Sequence, residues 1–577
     1  MKFNKSILDL GKYNSETART LIKLERDKIA ERIFAKDYTV WKKDESYDAL
    51  INNRLGWLRL PVTMKECCGE INSFADEIRS EGYTYAVVLG MGGSSMCPEV
   101  CRETFGIKEG YLRLFVLDST DPDTVSEIEK SVEIEKTLFI VSSKSGGTIE
   151  VDSFFRYFFE KVKQIRPDNP GQQFIAVTDP STALESLAKE NGFRKAFINP
   201  PDIGGRYSAL SYFGLVPAAV TGVEIQKLLG NAEMMMERCS LPDAGKNIGL
   251  ITGAVAGTLA KRKRDKLTFI LSENIKSFGY WAEQLIAEST GKEGTGVIPV
   301  EGEKLSNSND YGNDRLFVSI SCGKESKPEK KKIKSLLKNK NPYIRIRLND
   351  LYDIGGQFYL WEFATAVMGH ILKINPFDEP NVKESKDNTG NVLKMFEEES
   401  KLPVQLPVSL KGKIMLYSGE NIFSKKLKDS KINKNLKTED FIKYFFRLRK
   451  KGDYVALMAY IQNSKDNSFQ LQKIRELVKK KLKTATTSGY GPRFLHSTGQ
   501  LHKGGGNNGM FIQIVNDDKN DIAIPGKPYS FSVLKQSQAI GDFESLVKHK
   551  RRCIRINIGN NTKSGLKKLY GLIKNSL

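Results

Sequence analysis

Apolar positions recur three and four residues apart through TARTLIKLERDKIAERIF, a spacing that predicts amphipathic helices across the first 80 residues. From about residue 84 the pattern changes to short, near-continuous apolar runs: YAVVLG, RLFVLD (113–118), TLFIVSS (137–143) and FIAVTD (174–179). Such runs suit strands covered on both faces of a parallel sheet. Helix-length segments between them make repeated strand–helix units, and SALSYFGLVPAAVTGV reads as a helix leaving the sheet. A second series with the same grammar begins near residue 246. IGLITGAVAGTLAKR is a helix, LTFILS (267–272) a strand, SFGYWAEQLIAES a helix, LFVSIS (316–321) and YIRIRL (343–348) strands, and QFYLWEFATAVMGHILKI a helix. The pattern therefore predicts an α/β chain: a helical segment over 1–80, one αβα unit over 81–240, a second over 241–395 and a C-terminal α+β region over 396–577. In that last region DFIKYFFRLRKKGDYVALMAYIQ reads as helices, SGYGPRFLHSTGQLHKGGGNNG as a Gly-rich segment, and MFIQIV as a strand.

Composition narrows the partners. Lys and Arg number 90 against 69 Asp and Glu, a formal charge of +21 over 577 residues. This balance favours phosphorylated metabolites, nucleic acid or acidic surfaces. The two Lys-rich stretches, 328–341 and 424–437, read as solvated helix and loop. They carry no interleaved aromatics of the kind that stack bases, so nucleic acid is not an expected partner. Seven scattered Cys with no Cys-x-x-Cys pair predict neither a disulfide framework nor a metal site. The N-terminus lacks the apolar core of a signal peptide, and no run of 18 apolar residues exists. The expectation is a cytoplasmic protein with no membrane span.

The chemistry concentrates in turns that follow strands. Ser142-Ser143-Lys144-Ser145-Gly146-Gly147-Thr148 lies between a buried strand and a helix. Small residues, hydroxyls and N–H groups at the positive end of a helix dipole are what a phosphate dianion requires. Gly90-Met91-Gly92-Gly93-Ser94-Ser95 occupies the equivalent position one unit earlier. Both turns fall at the carboxyl edge of the sheet, where open α/β folds bind ligands. Gly204-Gly205-Arg206-Tyr207-Ser208 brings an Arg behind two glycines. A dinucleotide fingerprint is weak, because no third Gly follows at the required spacing and no acidic residue closes a following strand.

Together these residues resemble the phosphoglucose isomerase family, over most of residues 25–390. SSKSGGT is similar to the family's phosphate loop and GGRYS to the core of one signature, with Pro201 in place of the usual acidic or small residue. The segment from Gln284 through Glu288 to Lys292 resembles the family's Glu-Ser-x-Gly-Lys. Phe377 to Lys386 resembles Phe-Asp-Gln-x-Gly-Val-Glu-x-x-Lys, departing at Glu379, Asn381 and Lys383. The whole chain most resembles the isomerase half of bifunctional transaldolase–phosphoglucose isomerase fusions, with the transaldolase half expected to be missing. The family's ring-opening His normally lies between the base and the last Lys, but here that interval holds SNSNDYGNDRLFV and no His. Of the four His, His370 sits in an apolar helix. His496 lies in LHSTGQLHKG, a segment similar to the one the family carries in that missing interval.

The resemblance implies two tandem sugar-isomerase (SIS) αβα domains. It implies reversible aldose–ketose isomerisation of glucose 6-phosphate and fructose 6-phosphate through a cis-enediolate. No cofactor or metal enters that expectation, because the carbonyl moves between neighbouring carbons by proton transfer alone. Glu288 is the implied base and Arg206 balances enediolate charge. His496 and Lys386 are expected to open the ring. Ser143, Lys144, Ser145 and Thr148 are expected to hold the phosphate, with Gly93, Ser94, Gly205 and Gln284 near the sugar. A homodimer is also implied, since sites of this family are completed across subunits. Three other readings stay open: an isomerase for mannose or aminosugar phosphates, a non-catalytic sugar-phosphate sensor, and a nucleic-acid binder suggested by charge alone.

Overall fold

The computed structural model describes residues 8–419, 422–423 and 437–577. The Lys-rich stretch expected to be solvated over 424–437 lies outside the described residues except for Lys437, whereas Lys327–Lys338 in the other stretch is a helix burying only Ile333 and Leu336.

The apolar runs of the first unit become strands Tyr85–Gly90, Arg113–Leu117, Thr137–Ser142 and Phe174–Thr178, and a fifth strand, Lys195–Ile198, closes the sheet. All neighbours pair in parallel, in the order Arg113–Leu117, Tyr85–Gly90, Thr137–Ser142, Phe174–Thr178, Lys195–Ile198. Helices cover both faces, so every residue of Thr137–Ser142 and of Phe174–Thr178 is buried and alternation is lost. The second sheet runs Tyr343–Leu348, Arg315–Cys322, Lys266–Leu271, Ile298–Val300, again parallel. The first 80 residues are mostly helical, as the spacing predicts, but Leu8–Asp9 forms a two-residue antiparallel edge on this second sheet.

The C-terminal region departs from its sequence reading. The stretch read as continuous helix breaks after Thr438–Arg447, and Tyr454–Tyr460 is a fully buried strand. Gly452 takes a positive φ of 85° and turns the chain there. YVALMAY is a doubly covered apolar run of the same kind as those in the first sheet. Ala485–Tyr490, which runs into the start of the segment read as Gly-rich, is also a strand. These join a six-stranded sheet in the order Ser409–Lys411, Ile414–Ser418, Arg552–Asn557, Gly509–Val515, Tyr454–Tyr460, Ala485–Tyr490. Its last four strands are parallel, and Ile414–Ser418 pairs antiparallel with both Ser409–Lys411 and Arg552–Asn557. The region is thus a third layered α/β unit with an antiparallel edge.

This third unit wedges against both others. Ile524, Tyr529, Phe531 and Leu534 share a core with Val87, Phe139 and Phe154 of the first unit. Tyr454, Phe494 and Leu501 share one with Ala287, Ile298 and Val300 of the second. Polar contacts follow the same path. Lys535 reaches Asp121 at 2.8 Å, beyond the strand Arg113–Leu117, and Arg475 Nη2 donates to the Glu301 carbonyl of the second unit at 2.7 Å. Among the described residues no helix is long and apolar enough to cross a membrane.

Candidate active site

Three turns and one helix meet at the junction of the first two units. The helix Gly93–Phe105 starts against the turn Gly205–Tyr207 so closely that a Cβ at position 93 would lie 1.9 Å from the Gly205 carbonyl oxygen. Only glycine permits that approach. Arg206 is thereby carried across to the second unit, 4% exposed. Its Nε donates to Ser289 Oγ at 2.8 Å, its Nη2 to the carbonyls of Pro376 and Asp378 at 2.8 and 2.9 Å, and its Nη1 to Glu379 Oε2 at 2.9 Å. The same Nη1 stands 3.4 Å from Glu288 Oε1.

Glu288 is on the buried helix Phe278–Thr290, and its Oε2 accepts from Gln284 Nε2, one turn back, at 3.4 Å. Burial pushes its carboxyl up to about 7; Arg206 opposes this, the charge of Glu379 adds to it, and His496 and Lys292 pull down. Lys292 holds Asp378 Oδ1 at 2.7 Å, and burial, with Arg206 nearby, lowers its ammonium to about 8. For Glu379 burial pushes up, but Arg206 outweighs it and the carboxyl sits below its usual range. A carboxylate balanced near neutrality can both take and return a proton.

His496 lies in the turn Arg493–His496 of the third unit. Its carbonyl accepts from Gln284 Nε2 at 2.8 Å, and its Nε2 is 2.9 Å from Glu150 Oε1. Glu150 begins the helix that follows the Ser142–Thr148 turn, and it also accepts from Gln538 Nε2 at 2.8 Å. Burial pushes the Glu150 carboxyl up, but His496 outweighs it and the net direction is down. One polar chain thus links Glu288 through Gln284 and His496 to the end of the glycine-rich turn. Gly147, Thr148, Glu150, Lys386 and His496 line a single cavity of about 220 Å³. The short helix Gly499–Gly504 locks this piece in place. Gln500 donates to the Gly291 carbonyl at 3.0 Å and to Asn381 Oδ1 at 2.8 Å, while its Oε1 accepts from the Asn381 N–H.

The structure brings Arg206, Glu288, Gln284 and His496 together, and Lys386 and Thr148 beside His496. Two of the expected binding residues have partners within the chain. Lys144 turns its ammonium to Asp179 and to the Pro201 carbonyl, because the adjacent strand end offers a carboxylate there. Gln284 spends its amide N–H groups on His496 and Glu288, so it ties the site together from behind. Ser143 Oγ lies 3.1 Å from Thr148 Oγ1 inside the turn, Ser145 is exposed at its tip, and Ser94 is buried. Sequence reasoning missed Glu150 and Gln538. An acidic residue in a first helical turn reads as a dipole partner, and nothing local shows that its oxygens meet a His 346 positions on. His370, expected to pack in the core, sits with its Nδ1 2.6 Å from the Val40 carbonyl, away from this site.

Two facing parallel α/β units, with a carboxylate and a guanidinium at their junction and a small-residue turn at a helix start, define a fold suited to phosphorylated sugars. A family model described as phosphoglucose isomerase matches residues 61–307. The chain is 30% identical over 403 residues to a glucose-6-phosphate isomerase of Carboxydothermus hydrogenoformans, covering 60% of this chain and 86% of that protein. It is 27% identical over 467 residues to a glucose-6-phosphate isomerase of Fusobacterium nucleatum, covering 69% and 98%. In fold it is similar to a hypothetical protein of Thermus thermophilus (TM-score 0.55, 23% identity, 68% of this chain and 99% of that one). A similar likeness holds for a glucose-6-phosphate isomerase of Chlamydia trachomatis (TM-score 0.54, 18% identity, 66% and 86%). The chain belongs to the phosphoglucose isomerase family.

The glycine contact gives a direct test. Gly93→Ala forces the Gly205 turn aside and takes Arg206 with it. It should lower the thermal midpoint and, since ~1 Å of misplacement can cost ~100-fold, reduce isomerase turnover by at least about tenfold. Thermal unfolding and a coupled assay measure both.

Proposed function

We infer that the chain interconverts glucose 6-phosphate and fructose 6-phosphate through a cis-enediolate, with Glu288 as the base. The observation that supports this reading is the polar chain in which Gln284 joins Glu288 to the His496 carbonyl while the His496 ring meets Glu150, just after the small-residue turn.

The phosphate is held by the N–H groups at the start of the helix Ile149–Ile165 and by the hydroxyls of Thr148 and Ser143. The sugar arrives as a closed ring. With its Nε2–H donated to Glu150, the His496 imidazole presents Nδ1 as its other nitrogen for the ring oxygen and hydroxyl, and Lys386 assists from the opposite wall. Glu288 then takes the proton from C2 of the aldose and returns it to C1, while the O2 hydroxyl proton passes to O1, so that the carbonyl ends at C2. Arg206, fixed by four hydrogen bonds, needs no reorganisation to stabilise negative charge on the enediolate oxygens. A sensor would need the phosphate turn alone, so the buried Glu288–Arg206 pair favours turnover over mere binding.

The homodimer implied by family likeness would serve to complete the site. Here Arg206, Glu288, Lys386 and His496 all come from one chain, so in this reading a lone chain is competent.

Glu288→Gln should cut kcat by roughly 100- to 10,000-fold while affinity for a non-reacting sugar phosphate persists; a normal rate in the coupled assay refutes the base assignment. His496→Ala should slow turnover of the closed sugar more than that of an open-chain analogue, and equal losses would remove His496 from ring opening. Specific activity should stay constant on dilution to nanomolar protein, whereas a concentration-dependent fall, checked by light scattering, would restore the requirement for a partner.

A further inference from the structure

Arg206 has one positive charge and two carboxylates at a single nitrogen. Nη1 donates to Glu379 at 2.9 Å and stands 3.4 Å from Glu288, so Glu379 takes the better hydrogen bond. The remaining donors of Arg206 are spent on Ser289, Pro376 and Asp378. The other charged or titratable groups around Glu288 are equally committed. Lys292 is held by Asp378, His496 by Glu150, and Tyr207 contacts Ser289 Oγ and the Pro376 carbonyl. What remains for Glu288 is one long contact from Gln284 at 3.4 Å. The two acids also differ in solvation. The Glu379 side chain is 39% exposed and that of Glu288 10%. When one guanidinium serves two carboxylates, the better hydrated and better bonded one keeps its charge, and the buried one bears the cost.

We propose that Glu379 is a positioning residue that competes with Glu288 for the Arg206 guanidinium, and that this competition sets how readily Glu288 accepts the sugar's proton at neutral pH. The inference rests on Glu288 being the base. It concerns the position where this chain departs from the Phe-Asp-Gln pattern of its signature. A Gln there can still accept from Nη1 but brings no charge. Arg206 would then lean fully on Glu288, which would ionise at lower pH and become a weaker base. The segment Pro376–Glu379 thus does two jobs. Its carbonyls orient Arg206, and its last side chain withholds part of that cation from the base. It also leads directly into the helix Pro380–Glu399 that carries Lys386.

The experiment is the pH dependence of kcat/KM from pH 5 to 9 for wild type, Glu379→Gln and Glu379→Asp, with Glu288→Gln as the reference. In wild type the acid limb should lie near pH 7. In Glu379→Gln it should move down by about one unit, so the ratio of kcat/KM at pH 6 to that at pH 8.5 should rise about fivefold. Glu379→Asp, which keeps the charge, should hold the limb closer to wild type. If Glu379→Gln fails to fold, Glu379→Asn replaces it against Glu379→Asp, two side chains of equal size. A limb that does not move, or a loss uniform across pH, overturns the proposal while an inactive Glu288→Gln leaves the base assignment standing. An active Glu288→Gln overturns the base assignment itself.

Discussion

A buried guanidinium holds this molecule's working parts in register. Arg206 is nearly inaccessible, and a buried charge is tolerated only when its donors are met. Its partners come from the end of the helix Phe278–Thr290 (Glu288 and Ser289), from the carbonyls of Pro376 and Asp378, and from Glu379. The turn that presents it can reach them only because Gly93 lets two backbones touch. One side chain therefore fixes the distance between the two parallel-sheet units and the environment of the carboxylate between them. Positioning and electrostatics are the same interaction here, since the guanidinium that orders these segments is also the cation shared by Glu288 and Glu379.

The third unit supplies what the second lacks. The interval where family likeness would put a ring-opening His is empty of His, and His496 arrives from a separate sheet that packs on both others. Its placement is over-determined. The His496 carbonyl is tied to Gln284, its ring to Glu150, and the following helix to Gly291 and Asn381 through Gln500. Gly291 and Gly504 make that docking possible, since a Cβ at either would fall within 2.4 Å of a neighbouring atom.

Much of this was legible in the residues, and the gaps have physical causes. Doubly buried strands announce themselves as apolar runs, and small-residue turns after them mark the ligand edge, so the first two units and the positions of Arg206 and Glu288 could be read. The third unit could not, for two reasons. Tyr454–Tyr460 follows a helix so closely that its apolar run reads as more helix, and Ala485–Tyr490 is an edge strand of small and polar residues. Pairings between distant side chains left no local trace. Glu150 with His496, Lys144 with Asp179, and Glu379 with Arg206 are products of the tertiary fold, and the last showed in the sequence only as a departure from a pattern.

The late position of His496 in the chain also orders events in time. Arg206 and Glu288 emerge from the ribosome long before His496, and the helix Phe531–Lys548, whose Gln538 donates to the Glu150 carboxylate beside His496, comes later still. A nascent chain can fold both early sheets around the guanidinium and yet lack the link from Gln284 to Glu150. That link closes only once the last of the three sheets has been synthesised and docked.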